Sequence, residues 1–399
     1  MQKRLNLICL LCFCCCLACV KPYAPAVTTT NYNYLVVEGF INLTDSTFIK
    51  LSRTVTIGSS NTAKPELKAT ITIESSAGAT YALKEVGNGT YAAPSLTLSA
   101  SYQYRLRIKT TSGSTYLSDY VASTLSPPID SVSWTATDNL KINVSTHDPK
   151  NATWYYRWDY TEEWEFNSTY NSAFLSNGYT IIPRLPSQLI NHCYTGDTSN
   201  LINLGTSAKL SQDVISNQLI GTVPSTAEKL SIKYSILVKQ YALTKDAYDY
   251  WTLLKTNTQN LGSIFDAQPS ASIGNIHNVN NAAEPVLGYI SAGAISTKRI
   301  FITKAQLPIS WTFISPFTQC KLDTLVYVIV NPKNSLDTLE WPQNEYINFK
   351  QPQFVKYQLI PVALVGTATL TGNPPYSASQ PICVDCTLRG SVNKPAYWQ

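Results

Sequence analysis

The chain has 399 residues, of which 44% are hydrophobic and only 14% charged. That apolar share excludes intrinsic disorder, and the length fits two or three domains. The formal charge is +5 with no basic run, which excludes nucleic-acid binding driven by electrostatics alone.

Lys3 and Arg4 precede an apolar stretch of fourteen residues, 5–18. A bilayer-spanning helix needs about 20, so residues 1–18 read as a secretory signal peptide rather than a membrane span. The stretch ends in Cys16-Leu17-Ala18-Cys19, which is similar to a bacterial lipobox, where cleavage falls before a cysteine acylated on sulfur. Cys16 stands where such sites usually carry Leu. The alternative is an ordinary signal peptide cut nearby, with Cys19 a bystander. Lipidation of Cys19 is the expectation, and its acyl chains would hold the protein to a bilayer. Losing Lys3 and Arg4 lowers the charge from +5 to +3. Residues 19–33 then form the anchor and a tether without periodicity, containing Lys21-Pro22-Tyr23-Ala24-Pro25.

Alternation begins at residue 34. Strands are predicted over 34–41, 47–53, 69–75 and 80–85, followed by a turn at Gly87-Asn88-Gly89. Tyr102, Tyr104, Leu106 and Ile108 alternate with polar residues, as only a half-buried strand rewards, and 116–121 closes the series. About seven short strands predict an antiparallel β-sandwich of immunoglobulin or fibronectin type over residues 34–125. No Cys lies between residues 20 and 192, so this unit lacks the antibody disulfide.

Ser126-Pro127-Pro128 marks a domain boundary, because two prolines break strand pairing. A second β-sandwich is predicted over 126–331. Its strands start at Ile129, at Leu140-Ile142-Val144, at 154–164 and at 229–240, with two more at 286–302 and 323–331. A long insertion is expected near 165–225. One segment has the helical period: Thr244 can cap it, Asp246 suits the first turn, and Ala247, Tyr250, Trp251 and Leu254 share a face. That helix should end near Asn260, with Gly262 just beyond. Residues 332–399 are rich in Pro and Asn and predict an irregular wrap packed on the second domain. The fold class is therefore mainly β.

The order of motifs resembles a family of bacterial outer-membrane lipoproteins labelled domain of unknown function 4249. The residues carrying the resemblance are Tyr34-Leu35-Val36-Val37-Glu38-Gly39, Asn88-Gly89-Thr90-Tyr91, Pro128-Ile129-Asp130-Ser131-Val132 and Gly274-Asn275-Ile276. The run from Glu284 through Ala292, Cys383-Val384-Asp385-Cys386 and Pro395-Ala396-Tyr397-Trp398 complete it. The resemblance implies a partner of a TonB-dependent outer-membrane transporter, beside which such proteins tend to be encoded. It supplies no catalytic or ligand residues.

The residues themselves offer little chemistry. His147, His192 and His277 are widely spaced in loop-like text, and no metalloprotease, nucleophile-elbow, phosphate-loop or calcium-loop motif is present. Glu162, Glu163 and Glu165 could form the carboxylate pair of a glycosidase, but the alternative is one solvated face of a strand whose other face is aromatic. No metal, cofactor or catalytic residue is predicted. Cys193, Cys320, Cys383 and Cys386 are the cysteines of the folded part. A redox dithiol at Cys383 and Cys386, or a four-cysteine zinc site, competes with structural disulfides, which secretion favours. Of three possible pairings, Cys383–Cys386 with Cys193–Cys320 is the one preferred.

The 25 Tyr and 8 Trp exceed core needs, and such rings make good neutral binding surface. Trp154, Tyr155, Tyr156, Tyr248, Tyr250 and Trp251 are the candidates, against the alternative that β-rich envelope proteins are simply rich in Tyr. The reading is a non-catalytic, lipid-anchored outer-membrane protein that binds a TonB-dependent barrel, its cargo, or both. A stand-alone adhesin or glycan-binding protein is the alternative. Val20-Lys21-Pro22 lacks the acidic residues that usually follow the anchor of surface-displayed lipoproteins, and the membrane face stays open.

Overall fold

The computed structural model describes residues 33–55, 63–176, 181–259, 274–330, 338–342, 359–365 and 376–398. The predicted signal peptide, Cys19 and the predicted tether to residue 32 lie outside the described residues, as do Asn260 and Gly262.

The first strands are β1 (Leu35–Asn42), β2 (Thr47–Arg53), β3 (Lys64–Pro65), β4 (Thr70–Ser75), β5 (Thr80–Gly87), β6 (Thr90–Ala93), β7 (Tyr104–Lys109), β8 (Thr115–Ser118) and β9 (Ser123–Leu125). Period-2 alternation explains them. On β7, Tyr104, Leu106 and Ile108 are buried, while Arg105 and Arg107 point outward to Glu74 on the neighbouring β4. The predicted turn joins β5 to β6, with Asn88 and Gly89 both at positive φ, +50° and +70°. A side chain on Gly89 would stand 2.4 Å from the Leu51 carbonyl oxygen, so the close crossing requires glycine.

Next come β10 (Ile129–Ala136), β11 (Asn139–His147), β12 (Tyr155–Asn167), β13 (Phe174–Ser176), β14 (Ile181–Pro183), β15 (His192–Thr198), β16 (Asn203–Thr206), β17 (Val214–Pro224) and β18 (Lys233–Ala242). The helix α1 (Lys245–Gln259) follows, with Thr244 Oγ1 accepting from the Ala247 amide at 3.2 Å as its cap. β19 (Ile276–Asn278), β20 (Ala292–Thr303), β21 (Asp323–Val330), β22 (Thr338–Pro342), β23 (Ile360–Leu364) and β24 (Tyr376–Ser379) complete the chain.

Two large cores result. One buries Leu35, Val37, Ile49, Leu51, Ile71, Leu106 and Ile108 together with Ile276 and Ile290, which arrive from beyond α1. The other lies between the sheet β10-β11-β17 and the inner face of β12, β18 and β20, where Ile142, Trp158, Tyr234 and Ile236 are fully buried. Trp158 satisfies its indole N–H on Gln240 Oε1 at 2.9 Å.

Three expectations are corrected. Two independent antiparallel sandwiches were expected, but β1 pairs in parallel with β20 through Ile41–Ala292 and Asn42–Gly293, and β9 also pairs in parallel with β20. These ladders fuse strands of both halves into one mixed sheet of fifteen strands. The predicted insertion contains β17, eleven residues long and a full member of the second core. Its alternation is broken by two register shifts against β11 and by Asn217 at φ +50°, which hides the period. The tail is less irregular than expected, since β22, β23 and β24 lie in it and form a four-stranded sheet with β21, the strand predicted at 323–331.

The preferred disulfide pairing is also overturned. Cys193 bonds to Cys386 and Cys320 to Cys383, with Cα separations of 5.8 and 5.7 Å. Cys383 lies within a single helical turn, Pro381–Val384, and packs with Ile360, Val362 and Val384, whereas Cys386 begins the next turn and packs with Phe166. The two sulfurs thus enter different clusters, and each meets a partner from a distant segment.

Candidate functional site

On β1, Leu35, Val37 and Ile41 face the first core, so Val36, Glu38 and Phe40 face the other way. They look onto the outer face of the second half. There the ladder sets Arg157, Tyr241 and Ile295 in one row, and Asp159, Lys239 and Thr297 in the next. These residues have the opposite parity to Tyr156, Trp158 and Val238, which are buried in the second core. Between the two halves lies a cleft of about 1170 Å³, lined also by Tyr250, Trp251 and Leu254 of α1 and by Tyr289. A recess of about 430 Å³, bounded by residues 198–202, shares the wall of Glu38, Arg157, Asp159, Lys239, Tyr241 and Trp251.

The walls are aromatic. Phe40 meets Tyr241 edge-on at 5.1 Å between centroids, and Tyr250 lies 5.1 Å from Tyr289 and 5.8 Å from Trp251. Phe48, cross-strand from Phe40, is 56% exposed at the cleft. The Arg157 guanidinium sits between two rings, 4.4 Å from Tyr241 and 4.1 Å from Trp251, and donates to Asp159 at 3.1 Å. Stacking suits a weakly hydrated planar cation better than it would suit lysine. Burial, aided by the neighbouring Asp159 carboxylate, raises the Tyr241 phenol. Burial also raises Tyr250, with Glu38 adding to it, and Tyr289. All three phenols therefore remain neutral hydrogen-bonding groups at physiological pH.

Three motif segments of the family resemblance converge at this seam. A side chain on Gly288, at φ +132°, would stand 2.0 Å from the Val37 carbonyl oxygen, and one on Gly274 would collide with Gly288. Asn275 makes a two-way bridge to the backbone of Ile290, accepting from its N–H at 2.8 Å and donating to its carbonyl at 2.9 Å. Glu284 accepts from Tyr116 at 2.8 Å and from Asn278 at 2.5 Å. Of these residues Val37 and Gly288 line the cleft, and the others brace the seam behind it.

The candidate aromatics divide. Tyr250 and Trp251 wall the cleft. Tyr155 and Tyr248 pack on each other at 5.0 Å beside the helix, outside the cleft lining. Trp154 is half-buried, and its carbonyl accepts from Thr206 and Ser207. Tyr156 has no exposed surface: it stacks on Trp158 and donates to the buried Asp213, so it is a core residue and not binding surface. Sequence reasoning missed Phe40, Arg157, Asp159, Lys239, Tyr241 and Tyr289. The parity of β1 already placed Phe40 beside Glu38, but nothing local joins the remaining segments.

The three glutamates do not form the solvated face expected of them. Glu162 shares the parity of Trp158 and Tyr160 and is buried, accepting from Tyr234 at 2.5 Å and from Lys229 at 2.7 Å. Glu163 and Glu165 are covered by the tail: Tyr397 and Arg299 donate to Glu163, and Trp398 donates to Glu165. His147 and His277 are exposed and His192 is half-buried; His147 is bonded to Asp130, His277 lies near Asp119 and His192 is bonded to Asn167. The hydrogen bond that His147 donates to the Asp130 carboxylate raises the imidazole. Among the described residues no cluster of three metal-ligating side chains occurs, and no helix is long and apolar enough to cross a membrane.

The family described as Domain of unknown function (DUF4249) matches residues 20–299. A crystal structure of a Salmonella alpha-2-macroglobulin mutant aligns with 81% of the chain at 8% identity and a TM-score of 0.18. The aligned part covers 17% of that much longer protein, and no shared architecture follows from it. No curated protein matches the chain.

Proposed function

The chain belongs to the DUF4249 family, and from that premise we propose that it is a non-catalytic lipoprotein of the outer membrane, accessory to a TonB-dependent transporter. The observation that carries the binding role is the broad aromatic cleft between the two halves, lined from four separate segments. Pockets with apolar walls and a few convergent polar groups are the usual form of a binding site. The transporter is the partner that the family resemblance implies, and the lipobox-like Cys19 supplies the anchor. In this reading the two cores are sandwich modules of the immunoglobulin or fibronectin kind joined by the β1–β20 ladder.

The mechanism is geometric. Acyl chains on Cys19 confine the protein to the membrane plane, which raises its effective concentration beside the barrel without new contacts. A surface poor in charge then permits specific contact with little nonspecific attraction.

Crosslinking in intact cells, followed by purification of the tagged full-length protein, tests the reading. Recovery of a barrel-sized outer-membrane protein is the expected result. Glycan binding without such a partner would instead support the stand-alone adhesin. Cys19→Ala should move the protein out of the membrane fraction, and turnover that disappears in Glu162→Gln would overturn the non-catalytic role.

A further inference from the structure

We propose that the cleft between β1, α1 and the outer face of β12, β18 and β20 binds a neutral oligosaccharide. The inference rests on the binding role argued above and adds the ligand class and the residues that read it.

Charge points to an uncharged ligand. Among the residues lining the cleft, Arg157 and Lys239 stand against Glu38, Asp45 and Asp159, so the charges nearly cancel. Arg157 stacks on its two rings and donates to Asp159, which offsets its charge, while its buried Nε–H has no protein partner and can meet a ligand oxygen. The polar groups are nonetheless well placed for hydroxyls. Carboxylates accept and the Lys239 ammonium donates, while the neutral Tyr250 and Tyr289 phenols can do either.

The aromatic walls supply the other half of the recognition. A pyranose has an apolar C–H face and a rim of hydroxyls. The first fits the flat rings of Phe48, Tyr250 and Trp251, the second fits Glu38 on β1 and the facing row of Asp159, Lys239 and Thr297. The volume exceeds the range of about 300–1,000 Å³ usual for a single small molecule, and the recess beyond Trp251 extends it. Several linked sugars suit that length.

An extended peptide fits less well. Peptides that lie along sheets gain affinity from main-chain bonds to a free strand edge. Within the cleft, β1 is flanked by β2 and by the segment through Leu287, β2 by β1 and β6, and β18 by β12 and β20. These three strands offer side chains and no edge, whereas β20 is laddered to β18 alone over Ile295–Thr303.

The test is an array of neutral plant, microbial and host oligosaccharides probed with the full-length chain, followed by calorimetry on the best binder. At least one oligosaccharide should bind, and Trp251→Ala should weaken it tenfold or more. Because Trp251 also stacks on Arg157, Phe48→Ala provides the second variant. Phe48 is exposed, so its loss should leave the melting temperature unchanged and still weaken binding several-fold. Binding of no array member, binding of peptides alone, or affinity unchanged in both variants would overturn the proposal. Retrieval of a barrel with no saccharide binding would sink this inference and leave the accessory role standing. Saccharide binding without a barrel would do the reverse.

Discussion

Asn275 joins two segments of backbone with a single side chain. It is 6% exposed, and its amide stands in for a strand by both donating to and accepting from Ile290. Asn275→Ala would strand a buried N–H and a buried carbonyl, each costly to leave unpaired. A loss of about 2–4 kcal/mol is expected, read as a shift in the urea midpoint at constant slope. Glu74 illustrates a different balance. Burial pushes its carboxyl up, but the guanidinium groups of Arg107 and Arg105 outweigh burial and hold it below its usual range. A carboxyl lowered in the folded state stabilises the protein above its unfolded value of 4.5, and that contribution disappears as pH falls through the folded value. Thermal unfolding followed from roughly pH 6 to pH 3 should therefore show a shallower acid loss in Glu74→Gln than in the parent. Equal slopes would mean that the two arginines do not act on Glu74 in the folded state. Such residue-level pairings were only partly legible in the sequence. Period 2 assigns Glu162 to the aromatic side of β12, yet a carboxylate there makes sense only once Lys229 and Tyr234 are known to meet it.

Elements were legible where local chemistry and tertiary need agree. β2 spans the predicted residues because Thr47, Ile49 and Leu51 alternate without interruption. The helix α1 was readable from its cap and from the face of Ala247, Tyr250, Trp251 and Leu254. Ala247 is buried against Tyr241 and Leu243, while the other three turn toward the cleft. β17 was not readable, because its bulges interrupt the pattern that would have announced it. The end of the chain was hidden for another reason. Trp398 is 4% exposed, but it packs edge-on against Tyr194 and Phe301, from strands roughly a hundred and two hundred residues away. The candidate site divides along the same line. Tyr250 and Trp251 belong to one helix and could be found together, whereas Phe40, Tyr241 and Tyr289 come from separate segments and meet only through the β1–β20 ladder. The cap of α1 offers a test at this scale. Thr244→Ala removes the acceptor for the Ala247 amide and should cost about 1 kcal/mol. Hydrogen exchange should accelerate in the first turn of α1 and leave β1 and β2 protected. Uniform acceleration would mean that the helix unfolds only with the whole protein.

At the scale of the molecule, the disulfides decide how the tail is held. The two bonds are nested: Cys320–Cys383 closes inside the loop closed by Cys193–Cys386. Through them four residues of tail, Cys383 to Cys386, bind β15 and the segment at Cys320 at once. The backbone adds to this, since Tyr194 and Ser391 exchange two hydrogen bonds of 2.8 Å and Arg389 bonds to Glu228 at 2.7 Å. Spacing favoured a local Cys383–Cys386 bond because the two lie close in sequence. Which cysteines meet depends instead on the cluster each sulfur enters, a property of the assembled fold that spacing does not encode. Non-reducing digestion and mass spectrometry should recover Cys193 linked to Cys386 and Cys320 linked to Cys383. A peptide containing both Cys383 and Cys386 in a mutual bond would refute this arrangement. The outer bond closes the longer loop, so in the chain-entropy account it constrains the unfolded chain more strongly. Replacing both Cys193 and Cys386 by Ser should cost about 2–5 kcal/mol. Replacing Cys320 and Cys383 should cost somewhat less. The first pair should also release Tyr397 and Trp398 from Glu163 and Glu165, which protease sensitivity near residue 390 would report. The cleft lies at the opposite end of the same β12–β18–β20 face, so its ligand affinity should survive that release while the melting temperature falls.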